Sequence, residues 1–163
     1  GVGPSMGTGT LLHAAVRDPG RFASLTLVIP PTAWGTRRAQ AEAYRANADL
    51  VEREGLGAFL DLGSTAPGPP ALDGAPLTFP SVDEALLPTL LRGAAATDLP
   101  PHEVLETVDV PVLVLAWTDD PSHPMETAEV LTDVLPDSRL VVARSPADVL
   151  SWPGLFAQHV SAH

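Results

Sequence analysis

The chain has 163 residues, enough for one domain with an ordinary core, and 45% of them are hydrophobic. Nine arginines, no lysine and 20 acidic residues give a net charge of −11, which argues against nucleic acid or an anionic membrane as partner. Cysteine is absent, which excludes a disulfide framework and thiol chemistry and fits a reducing, cytoplasmic setting. No apolar run approaches the length of a membrane span.

The first element is a strand remnant, Gly1-Val2, followed by Gly3-Pro4-Ser5-Met6-Gly7, which reads G-x-S-x-G. In a sharp strand-to-helix turn, glycines two residues either side of a serine remove Cβ atoms that would collide. The serine can then take a strained backbone and project its Oγ. An apolar helix follows (Thr10-Leu11-Leu12-His13-Ala14-Ala15), with its positive N-terminus aimed at the spot where an oxyanion would form. The plainer alternative is a glycine-rich turn with Ser5 as an ordinary N-cap. A helix and then a strand, Leu25 to Ile29, follow in the order a nucleophile elbow demands.

From Thr32 to Val108 the pattern is helical without a strand signal. A long helix is expected over 35–54, a short one over 56–62, a Pro/Gly loop over 65–80, a helix near 82–91 and a short one after Pro101. Inserted between two strands of a parallel sheet, a segment of this kind reads as a cap or lid.

Pro111 to Trp117 is nearly continuous apolar sequence, as a strand covered on both faces should be. Pro124 then opens a helix whose Ala128, Leu131, Val134 and Leu135 recur at helical spacing, and Arg139 to Ala143 forms the next strand. Strand, helix and strand make a right-handed crossover unit. A final helix is expected from Trp152 to Ala162, with Pro153 in its first turn.

This order resembles the α/β-hydrolase superfamily over nearly the whole chain. Gly3 to Gly7 is similar to the elbow after the fifth strand of that family. Arg17 to Phe22 is similar to the turn before the sixth strand. Val110 to Ala116, followed by Asp120 and Pro124, resembles the seventh strand and the acid-bearing loop after it, and Leu135 to Leu140 the lead-in to the eighth. The resemblance implies an α/β class and a partial α/β-hydrolase fold, with parallel strands, flanking helices and a helical cap insertion. Residues 1–31 and 109–163 would form the core and 32–108 the cap. The chain, starting at Gly1 inside a motif, reads as the C-terminal portion of a longer protein. A sheet without its first strands is expected to leave an unpaired edge through which the chain self-associates.

The family would supply a Ser–Asp–His triad in that chain order, acting on an ester, amide or other small-molecule acyl compound. By resemblance Ser5 is the nucleophile, the Met6 backbone N–H an oxyanion donor, and Asp120, four residues before Pro124, the acid. Asp119 competes with Asp120, and its plainer reading is a surface or loop-capping carboxylate. The family's histidine belongs to the loop after the eighth strand, here Arg144-Ser145-Pro146-Ala147-Asp148, which contains none. The second oxyanion donor and the sheet's central strands would come from the half before the elbow, so on both counts activity is expected to be impaired, and an inactive binding or scaffold module is the alternative. His123 is the substitute base, since its loop should border the same cleft; otherwise it is a loop histidine between two turns.

Of the remaining histidines, His13 is expected to pack on the sheet, His102 to sit near the cap's exit, His159 to ride the last helix and His163 to fray at the terminus, none of them well placed for Ser5. Asp119, Asp120 and His123 lack a further ligand at metal-binding spacing, so neither a metal nor a cofactor is expected. Trp34, Trp117 and Trp152 read as core or as the wall of an acyl pocket.

Overall fold

The structure, a computed structural model, describes residues 1–64, 68–76 and 81–163. Four strands form one parallel sheet in the order β1-β2-β3-β4: β1 (Val2–Pro4), β2 (Leu25–Val28), β3 (Val112–Trp117) and β4 (Ser138–Ala143). The register pairs Gly3 with Leu27, Leu27 with Val114 and Val114 with Leu140. Helices α1 (Met6–Arg17) and α5 (Met125–Val134) make two crossovers in the same direction, so right-handedness puts both on one face. The last helix, α6 (Pro146–Ala162), covers the other face, where Trp152 clusters with Leu113, Leu115 and Trp117. All six residues of β3 are buried, which is why its sequence runs apolar without alternation. Burying each of its leucines and valines stabilises the sheet by about 2 kcal/mol.

The chain divides into two compact units. The first holds Gly1–Ala33, Pro69–Asp73 and Leu99–His163, and so includes the sheet, α1, α5, α6 and the short helix α4 (His102–Leu105). The second holds Trp34–Gly68 and Gly74–Asp98 and is helical. Its main elements are α2 (Trp34–Ser64) and α3 (Leu87–Ala95). Buried Arg37 ties these together by donating to the carbonyls of Ala94 and Thr97. On the outside, Arg92 of α3 bridges Asp49 and Glu52 of α2.

Helix α2 breaks at Gly55, whose φ of 85° and ψ of 173° are open only to glycine, so the two helices expected over 35–54 and 56–62 meet there. The helix expected near 82–91 begins later. Residues Glu84–Leu86 form a 3-10 turn capped by Asp83, and α3 follows. Of the loop expected over 65–80, Pro70–Leu72 is a 3-10 turn and the remainder outside 68–76 lies beyond the described residues.

The last helix also starts earlier than expected, at Pro146 rather than Trp152, so that Pro153 lies inside it. The cause is a capping box: Ser145 Oγ accepts from Asp148 N, and the Asp148 carboxylate accepts from the Ser145 N–H. That pair satisfies the N-terminus six residues before the expected start. His13 is exposed rather than packed on the sheet. His159, by contrast, is buried and bonds Leu25 O at the start of β2, and that burial lowers its pKa.

Candidate active site

Ser5 stands between β1 and α1 with φ 49° and ψ −117°, outside the regions a side-chain-bearing residue prefers. Such strain persists only where surrounding contacts fix it. Here the Ser5 N–H donates to Val28 O at 2.8 Å, and Thr8 Oγ1, fully buried, donates to Gly3 O at 3.0 Å. A Cβ on Gly3 would run into the Gly7 carbonyl and would stand 2.8 Å from Leu11 Cδ1. A Cβ on Gly7 would press on the Pro4 ring at 3.2 Å. The glycines of the motif thus let α1 start directly against β1. Ser5 makes no side-chain cap bond to α1, so its hydroxyl is not spent on the helix end and the ordinary N-cap reading fails. Met6 opens α1, and the N–H of a first helical residue has no intrahelical acceptor.

The loop after β3 supplies the other side chains. Asp119 takes φ 61°, a left-handed conformation that aspartate tolerates, and so turns the chain. Asp120 Oδ1 then accepts from Ser122 N at 2.9 Å, and His123 N closes a turn on Asp120 O at 3.1 Å. From the exit of β2, Thr32 N holds Ser122 O at 3.1 Å. Within this tight turn, residues three apart face the same way. His123 Nδ1 lies 2.8 Å from Asp120 Oδ2, and His123 Nε2 lies 2.8 Å from Ser5 Oγ.

The proton positions follow from the donor inventory. An ionised carboxylate can only accept, so Nδ1 carries the imidazole proton and donates it to Asp120. Nε2 then presents a lone pair, and Ser5 Oγ–H donates to it. Burial raises the Asp120 pKa, but it is outweighed by the hydrogen bond and charge of His123, the Trp117 indole and the Ser122 N–H. Together these hold the carboxyl below its ordinary value. Both side chains are largely shielded, at 13% exposure for Asp120 and 17% for His123.

The structure thus brings Ser5, Asp120 and His123 together, with the Met6 N–H beside Ser5. The segment Arg144 to Asp148 reaches no such position, because it is consumed in capping α6: Asp148 accepts from both Arg144 N and Ser145 N. His159 lies at the opposite end of β2 from Ser5, and His163 stacks edge-on against it. Among the described residues no group of three or more His, Asp or Glu side chains is placed to hold a metal ion. No helix among them is long and apolar enough to cross a membrane. Trp117 and Trp152 are buried and stacked on one another, and Trp34 belongs to the helical unit. One contact escaped the sequence, the bond from Trp117 Nε1 to Asp120 Oδ2, for which no sequence signal exists.

No protein-family model and no curated protein matches the sequence. Solved structures do. The enol-lactonase from Burkholderia xenovorans LB400 aligns with a TM-score of 0.73 at 21% identity, over 99% of this chain and 63% of that one. A thermophilic esterase from Thermogutta terrifontis aligns at 0.68 and 21% identity, over 99% and 62%. MenH from S. aureus aligns at 0.70 and 19%, over 95% and 65%. The chain therefore spans less than two thirds of the length of each of these three proteins. Likeness at such low identity carries the backbone arrangement and nothing finer. With its parallel sheet and flanking helices, this chain has a partial α/β-hydrolase fold.

Proposed function

We propose that the protein is a serine hydrolase acting on an ester, amide or related acyl compound, with Ser5 as nucleophile, His123 as general base and Asp120 as the orienting acid. The observation that carries this reading is the chain of two 2.8 Å contacts from Ser5 Oγ through the His123 ring to Asp120 Oδ2. Ser5 Oγ attacks the acyl carbon as its proton passes to His123 Nε2, and Asp120 stabilises the imidazolium that forms. The Met6 N–H, at the positive end of α1, faces the developing oxyanion. His123 then returns the proton to the leaving group, and water repeats the sequence on the acyl-enzyme.

The empty histidine position after β4 points to impaired activity. The contact of His123 with Ser5 supports a base from another loop, the one that also carries Asp120. The empty position favours one competing reading, a binding module that has lost its chemistry.

Intact-mass analysis after exposure to a fluorophosphonate separates the two. A single adduct is expected on the full-length protein, absent in Ser5→Ala and slowed at least a hundredfold in His123→Ala. Folded protein that acquires no adduct would favour the binding module. An adduct that persists in Ser5→Ala would remove Ser5 as the nucleophile.

A further inference from the structure

We propose that Trp117 is a positioning residue for the Asp120–His123 pair: its indole N–H fixes the carboxylate so that Oδ2 is turned toward His123 Nδ1. The inference rests on the triad reading above and assigns a role to a side chain outside it.

Trp117 is the last residue of β3, three positions before Asp120, and its side chain is buried at 8% exposure. Its Nε1 donates to Asp120 Oδ2 at 2.8 Å, the same oxygen that accepts from His123 Nδ1 at 2.8 Å. The other oxygen, Oδ1, accepts from Ser122 N at 2.9 Å. Three donors from three residues thus hold the carboxylate, and rotating it about its Cβ–Cγ bond would break all of them. The Ser122 N–H belongs to the turn itself, between Asp120 and His123. The indole does not. It is anchored in the sheet and stacked on Trp152 of α6, with ring centroids 6.0 Å apart and planes 18° apart. It also meets the His123 ring edge-to-face, at 6.1 Å and 86°.

This anchoring has a physical reason in the arrangement of the site. Acid and base share one short turn, so the acid has no separate element to hold it while the base moves a proton. The Trp117–Trp152 stack supplies the rigid reference that the turn lacks. The shared oxygen makes the effect readable. Without the indole N–H, Oδ2 is left with a single donor and becomes the stronger partner of a protonated His123, which shifts His123 toward the imidazolium form. The titratable group that faces His123 is Asp120 on its own loop, and the Ser5 hydroxyl faces it from the β1–α1 turn.

The test compares Trp117→Phe, which keeps an aromatic ring and deletes the donor, with Trp152→Phe, which disturbs the same stack and leaves the donor. In the full-length protein, the His123 imidazole is titrated by NMR, and labelling by a fluorophosphonate is followed against pH. Trp117→Phe is expected to raise the His123 titration midpoint, move the acid limb of labelling to higher pH, and slow the plateau rate about tenfold. Trp152→Phe should leave the midpoint in place. Equal shifts in both variants, or no shift in Trp117→Phe, overturn the proposal. Wild-type protein that does not label, but whose His123 midpoint still moves in Trp117→Phe alone, would sink the hydrolase reading and leave the positioning role standing. If Trp117→Phe does not fold, the wild-type indole N–H resonance of Trp117 decides. It should be protected from exchange and move with the His123 titration, and a fast-exchanging, pH-indifferent resonance overturns the role.

Discussion

Ser5 and Asp120 illustrate how much of this site is set by single-residue constraints. The serine is held at a positive φ by three neighbours: Gly3, which gives room to the α1 backbone, Thr8, which locks Gly3 O, and Val28, which accepts the Ser5 N–H. Asp120 is kept ionised against the cost of burial by hydrogen bonds, and this has a consequence for pH. Its folded pKa lies below the unfolded one, so its contribution to stability is complete at neutral pH and is lost as pH falls through the folded value. Asp120→Asn should therefore lower the urea midpoint at about pH 7, with the gap to wild type closing below about pH 4. Labelling of Ser5 should fall at the same time, by about 10⁴-fold if the carboxylate fixes the tautomer as an aspartate does in the serine-protease triad. A gap that is constant across this range would show that Asp120 is not stabilised by ionisation.

At the scale of elements, the breaks matter as much as the helices. Gly55 divides α2 with a backbone closed to other residues, and the new helical piece begins at once because Glu84 Oε1 accepts from Leu56 N at 2.8 Å. A Cβ at position 55 would meet that same carboxylate oxygen at 3.3 Å. Gly55→Ala should cost about 1–3 kcal/mol in the helical unit, read as earlier loss of helical signal on thermal unfolding, and an unchanged transition would refute the strain. The connection from β4 to α6 makes the complementary point. Two residues, Arg144 and Ser145, join strand to helix, and the Ser145–Asp148 capping box fixes the second. So short a link leaves no loop to carry a histidine to Ser5. The turn after β3 carries both Asp120 and His123 instead.

For the whole molecule, the sheet's layout decides what meets what. In a parallel sheet every strand ends at the same side, so the residues that follow β1 and β3 come to one edge although 118 positions separate Ser5 from His123. The opposite consequence is at β1. This strand lies at the end of the sheet order, Val2 is half exposed, and an apolar groove of about 290 Å³ runs beside it, lined in part by Val28, Trp152 and Phe156. The 163-residue chain should associate through this edge. Sedimentation velocity over a range of concentrations is expected to show a rising coefficient, reduced by Val2→Glu; a monomer at every concentration would count against it.

The sequence by itself determined the elements and the turn at Ser5, because both rest on local chemistry. Glycine spacing around Ser5, the unbroken apolar run of β3 and the helical period after Pro124 each specify a backbone shape from neighbours a few residues away. Even the early start of α6 was legible in Ser145-x-x-Asp148, a capping-box pattern hidden by a reading of that segment as a loop. Asp120 and His123 could be named, but not joined to Ser5, since no local rule fixes the direction of a side chain in a turn. Only the tertiary structure decided that. The left-handed Asp119 and the Trp117 indole shape the turn locally, while the bond from Thr32 and the stacking of Trp117 on Trp152 tie it to segments distant in sequence. The same is true of the absent histidine after β4. The sequence shows that none is there, while only the packed sheet shows that His123 of a different loop lies beside the serine hydroxyl.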